Sequence, residues 1–146
     1  MQGEPRALFV CAPGAGGHMD DRAMLATAAA LGPLGIEVVR FNFAYRERGS
    51  RRPDAMPQLR ERFEAVVADA RKDLGERRLI IGGRSMGGRV ATMLAADGFA
   101  CDALLLFAYP LHPAGQPRSC AMHISRASAC RCSASTARAM RSAAAT

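Results

Sequence analysis

The stretch Leu79-Ile80-Ile81-Gly82-Gly83-Arg84-Ser85-Met86-Gly87-Gly88-Arg89-Val90 leaves the chain few folds to adopt. The apolar run Leu79 to Ile81 has the length of a buried strand, and helical spacing resumes from Met86 to Ala96. A strand must therefore turn into a helix within a few residues, and Ser85 stands at the bend. Gly83 and Gly87 flank it in the G-x-S-x-G spacing of a nucleophile elbow. A turn this tight presses backbone on backbone, so side chains are excluded on either side of the serine. Ser85 is expected to project above the C-terminal edge of a sheet, with the Met86 N–H and the start of the helix facing any oxyanion formed beside it.

Taken in order, the chain alternates. Ala7 to Ala12 is a continuous apolar run suited to an interior parallel strand, and it ends in Pro13-Gly14-Ala15-Gly16-Gly17-His18. A helical pattern follows from Asp21 to Leu31, with Asp20 or Asp21 as its N-cap, and Gly32-Pro33-Leu34-Gly35 breaks it. Ile36 to Phe43 reads as a second strand. The clearest helix spans Gln58 to Leu74, where Leu59, Phe63, Val66, Val67, Ala70 and Leu74 make one apolar stripe. Pro57 suits its first turn and Gly75 its end. A fourth strand is expected over Ala103 to Ala108. Strands alternating with helices imply right-handed crossovers, hence an α/β fold with a doubly wound, mostly parallel sheet.

The glycine-rich loop after the first strand admits two uses. Counted from Gly14, the last glycine of a G-x-G-x-x-G dinucleotide fingerprint is replaced by Met19, no phosphate-loop lysine follows, and Ile36 to Phe43 does not end in a ribose-binding acid. The alternative is a loop that turns a backbone N–H toward the elbow, with Ala15 as first choice of donor and Gly14 as second. His18, in the same loop, is expected to be exposed or capping. The arginine-dense segment from Ala44 to Asp54 lies at the strands' C-terminal ends, where Tyr45, Arg46 and Arg48 are placed to overhang the mouth above Ser85 and meet an acidic substrate.

The net charge of +7 invites a nucleic-acid reading, but its location argues otherwise. Residues 117–146 carry Arg118, Arg126, Arg131, Arg138 and Arg141 and no acid, so residues 1–116 keep only 15 basic against 13 acidic groups. This divides the chain into a core, 1–116, and a low-complexity basic tail, 117–146, with no partnership with nucleic acid expected. Cys130-Arg131-Cys132 lacks the two-residue gap of a zinc knuckle, and no cofactor or metal is expected. No apolar run approaches the ~20 residues that span a bilayer, and Met1 to Arg6 has no apolar export segment behind it. A cytoplasmic protein without membrane association is the expectation; the oligomeric state is left open.

Four blocks in order carry a family resemblance: residues 12–20, residues 41–49, Gly82 to Arg89, and Tyr109-Pro110-Leu111-His112-Pro113. Together they resemble small dienelactone-hydrolase-like α/β-hydrolases, and a similar domain in a testis-expressed eukaryotic protein and in a histone acetyltransferase complex subunit. The resemblance covers roughly residues 7–116. It implies an α/β-hydrolase fold, Ser85 in the nucleophile's place, Ala15 and Met86 in the oxyanion donors', and a small-molecule ester or acyl substrate. In that family the acid and then the histidine follow the serine in chain order. From Pro117 onward there is no Asp or Glu, and His123 is the only histidine. The hydrolase fold is therefore expected to be incomplete, its last strands missing, and the chain nearly inactive. His112 is the one substitute base to consider, although turn packing between Pro110 and Pro113 suits it better.

The tail's alanine, serine, arginine and cysteine are the composition of GC-rich DNA read out of frame. A permitted second reading of codons 119–142 yields an apolar run followed by Asn-Gly-Thr-Arg-Asp, similar to the family's missing strand and acid. A frameshift between about Gln116 and Ser119 is the resulting expectation. An uncovered edge at Leu104 to Phe107, with marginal stability and aggregation, is a second. A non-catalytic interaction module of the same fold is the alternative function.

Overall fold

A computed structural model describes residues 4–109. Four parallel strands, β1 (Ala7–Ala12), β2 (Ile36–Arg40), β3 (Arg78–Arg84) and β4 (Ala103–Phe107), form one sheet in the order β2-β1-β3-β4. The helices are α1 (Arg22–Leu31), α2 (Ala44–Glu47), α3 (Met56–Lys72) and α4 (Met86–Ala96), with a 3-10 turn at Gly32–Leu34. The doubly wound parallel sheet read from the sequence is the observed one. The switch in strand order falls between β1 and β3, where chain direction across the sheet reverses and sites of such folds form.

β1 is wholly buried because it is hydrogen-bonded on both sides and covered on both faces. Its side chains alternate. Val10 and Ala12 join Phe41, Phe43, Tyr45, Leu59, Phe63, Val67, Ile81, Val90 and Leu94 in the larger core cluster, on the side of α3 and α4. Phe9 and Cys11 face Met24 of α1 in the smaller one. The α3 stripe enters the core at Leu59, Phe63 and Val67, and Phe63 meets Phe41 edge-to-face at 5.4 Å between centroids.

Where boundaries differ from the sequence reading, tertiary contacts account for it. β2 stops at Arg40, its partner β1 ending in that register at Cys11. Beyond it Phe41 and Phe43 turn into the core, and Ala44–Glu47 closes as a short helix inside the expected loop. β3 runs on through Gly82 and Gly83 to Arg84, because the missing side chains let β1 and β4 approach from either side. Asp21 does occupy the N-cap position of α1, but its side chain makes no cap; Oδ2 accepts the His18 N–H at 2.8 Å instead. β4 is the outer strand on its side of the sheet among the described residues, tied to β3 by the Asp102 N–H to Leu79 O bond at 2.8 Å and the Leu79 N–H to Asp102 Oδ2 bond at 2.7 Å. No described helix is long and apolar enough to cross a membrane. His112, His123 and the tail from Pro117 lie outside the described residues.

Cys11 is one of the most enclosed side chains, its thiol against the Met24 sulfur at 4.0 Å. Burial pushes it up to about 12, with Arg40 opposing. Native protein at pH 8 is therefore expected to leave Cys11 unmodified by iodoacetamide, with modification appearing on denaturation, as peptide mass spectrometry would register. The sign for stability follows: the unfolded thiol ionises above about pH 9 while the folded one stays protonated, so this contribution is complete below pH 9 and is lost progressively toward pH 12.

Candidate active site

Ser85 sits at the apex between β3 and α4 with φ 48 and ψ −114, a backbone conformation that L-residues seldom adopt. Three bonds and contacts hold it there. Its N–H donates to Phe107 O at 2.9 Å, its carbonyl accepts the Arg89 N–H at 3.1 Å, and Gly14 of the first loop lies against it. The glycines around it are dictated by space. A Cβ at Gly83 would collide with the Ala12 carbonyl oxygen; one at Gly87 would sit 2.5 Å from Ala12 O and 2.6 Å from Pro13 O; one at Gly82 would collide with Leu105 O. The elbow is thus wedged against the end of β1 and the edge of β4. Ser85 is half-buried, and no described residue holds its hydroxyl.

The amides near this hydroxyl can be accounted for one by one. Among the described residues no side chain caps α4, and the N–H groups of Met86, Gly87 and Gly88 in its first turn have no partner. In the loop after β1, Gly16 donates to the Tyr45 hydroxyl at 3.0 Å and Gly17 to Gly14 O at 3.0 Å. His18 donates to Asp21 Oδ2 at 2.8 Å, Met19 to Asn42 Oδ1 at 2.8 Å, and Asp21 to His18 O at 3.0 Å. Asp20 N lies 3.2 Å from His18 Nδ1. Among the described residues only Gly14 and Ala15 keep free N–H groups in this loop. These, with Met86, are the three positions expected as oxyanion donors, and a Cβ at Gly14 would lie 3.7 Å from Ser85 Cβ.

Other expected residues fall elsewhere. Tyr45 is fully buried, with its ring stacked on Phe43, and cannot overhang a mouth. Arg46 is half-buried: Nη1 donates to Ser50 O at 3.3 Å and Nε is buried without a partner among the described residues. Arg48 is exposed and pairs with Asp54 at 2.7 Å. The spacing Phe41, Phe43, Tyr45 carried the signal that Tyr45 points inward with the phenylalanines. The same alternation turns Asn42 the other way, a residue the sequence reading passed over. His18 Nε2 lies 3.1 Å from Asn42 Nδ2. A neutral imidazole accepts at one nitrogen only, so it takes either that amide or the Asp20 N–H. His18 makes no hydrogen bond to Ser85.

A strained serine at a strand-to-helix apex, beside two sets of unspent amides at the C-terminal edge of a parallel sheet, defines a chain of the α/β-hydrolase class. Comparison agrees: the alpha/beta hydrolase domain family matches residues 5–135, and the chain belongs to that family. The match runs past residue 116, where the sequence reading placed the end of the core. A solved structure, TT1662 from Thermus thermophilus, is similar over 79% of this chain at 23% identity, with a TM-score of 0.64. The aligned part is 52% of that chain, so this protein spans about half the length of the structure it matches. A search of curated proteins gives no significant match.

Proposed function

We propose that Ser85 is the nucleophile of a serine acyl hydrolase, acting on a small ester or related acyl compound. The observation that carries this reading is the positive φ of Ser85 at an uncapped helix start against Gly14, in a loop where the amides of Gly14 and Ala15 have no partner among the described residues. A base takes the Ser85 proton, Oγ attacks the carbonyl carbon, and the tetrahedral oxyanion is held by Met86 N–H with Ala15 or Gly14 N–H. Collapse expels the alcohol, and water then releases the acid from the acyl-serine. The base and its orienting acid would come from beyond β4, where the sequence supplies His112 and His123 but no Asp or Glu after Asp102.

We infer that a Ser85 without such partners is an impaired nucleophile. Template enzymes lacking a triad member keep roughly 10³–10⁴-fold over water from the oxyanion hole and binding alone. A fluorophosphonate probe is expected to label Ser85 slowly, with labelling abolished by Ser85→Ala. Equal labelling of the two proteins would end the nucleophile reading; labelling at an intact hydrolase's rate would end the claim of impairment. The frameshift proposed near Gln116 to Ser119 is decided by resequencing the gene, and restored ester turnover in the corrected chain would support it.

The edge of β4, unpaired among the described residues, favours a second reading, a non-catalytic interaction module that binds partners by strand addition. Partner capture indifferent to Ser85→Ala would favour it.

A further inference from the structure

The part of the loop that presents Gly14 and Ala15 is short of internal support: over residues 14–17 one internal hydrogen bond closes, Gly17 N–H to Gly14 O, and the loop's other internal bonds join His18, Asp20 and Asp21 beyond it. Its conformation is instead held from outside, by the segment that follows β2. There Asn42 Oδ1 takes the Met19 N–H at 2.8 Å, and three residues on the Tyr45 hydroxyl takes the Gly16 N–H at 3.0 Å. The segment is itself anchored. Phe43 and Tyr45 are fully enclosed, and Arg62 of α3 donates through Nε to Asn42 O at 3.1 Å and through Nη2 to Glu47 at 2.8 Å.

We propose that Tyr45 is the positioning residue of the oxyanion loop: its hydroxyl, sunk in the core, pins Gly16 so that Ala15 and Gly14 are left with their N–H groups free beside Ser85. This rests on the reading of Ser85 given above. The chemistry explains why a phenol is needed. A partly buried loop amide that loses its acceptor gives up a net hydrogen bond, so Gly16 would swing to another acceptor and carry Ala15 with it. A tyrosine supplies the acceptor at the end of a rigid ring already fixed by packing against Phe43 at 6.2 Å between centroids. The hydroxyl contacts no reacting atom, so its effect passes entirely through the loop backbone.

The test compares the full chain with Tyr45→Phe and, as a packing control, Val67→Ala, which disturbs the same core cluster from α3 and leaves the Phe43–Tyr45 stack in place. Amide hydrogen exchange over residues 14–19 and the rate of fluorophosphonate labelling are read in each. Tyr45→Phe is expected to speed exchange at Gly16 roughly two- to ten-fold, the loss of one net hydrogen bond, and to slow labelling on the order of 10²-fold, as small displacements of catalytic groups do. Val67→Ala is expected to lower the melting temperature while leaving Gly16 exchange relative to the rest of the loop unchanged. Unchanged Gly16 exchange in Tyr45→Phe would overturn the pin. Faster exchange with unchanged labelling would overturn the positioning role, as would equal loop loosening in both variants. If the wild-type chain is not labelled at Ser85 at all, the nucleophile reading fails, and the exchange arm still decides whether Tyr45 holds the loop.

Discussion

A methyl group on Gly83 is expected to cost the fold about 2–6 kcal/mol, more than most single substitutions. Two effects add. At φ 149 the position lies where L-side chains are strained, a penalty of roughly 1–3 kcal/mol. The Cβ would also collide with the Ala12 carbonyl oxygen and lie 2.7 Å from Ala12 N, overpacking worth about 1–3 kcal/mol. Neither neighbour can give way, because β1 is the paired, buried centre of the sheet. Gly83→Ala should therefore lower the melting temperature by roughly 8 °C or more, at about 4 °C per kcal/mol for a domain of between about 100 and 150 residues. Gly32→Ala is the control: φ is −51 and nothing lies within 4 Å, so it should melt within a few degrees of wild type. If Gly83→Ala melted like the control, the wedge of the elbow against β1 would be wrong.

Ser85→Gly is expected to have opposite effects on stability and chemistry. Glycine tolerates φ 48 without the penalty the serine bears, while losing about 0.5–1 kcal/mol of backbone entropy, so a net gain on the order of 1 kcal/mol is expected. Labelling by a fluorophosphonate should fall to background in the same protein. Ser85→Ala keeps the Cβ and the strain, and should lose labelling without gaining stability. Urea denaturation of the three proteins separates the outcomes. A Ser85→Gly variant no more stable than Ser85→Ala would mean that the bend is not under strain. A nucleophile held at the cost of local stability is the signature of a built site.

The comparison of variants rests on elements whose legibility differed. Leu79 to Ile81, the glycines and the helix from Met86 to Ala96 were readable because every requirement there is local: the apolar run, the tight turn and the helical period each lie within a few residues. The α3 stripe was readable for the same reason. Tyr45 was misplaced because its segment was read by its charge, Arg46 to Arg52, when the alternation Phe41, Phe43, Tyr45 already assigned it to the core. Asn42 carried almost no signal, since a single amide side chain between two phenylalanines gains its meaning only from the loop that folds back against it.

What the sequence determined on its own was the succession of strands and helices, the parallel sheet and the serine at the bend, because periodicity and glycine sterics act between near neighbours. The tertiary structure alone decided which amides remain free. That choice depends on acceptors 29 and 23 residues away, Tyr45 for Gly16 and Asn42 for Met19, brought to the loop by the pairing of β1 with β2. Hydrogen-bond partners at such separations are set by the packing of the whole sheet, and no local pattern records them.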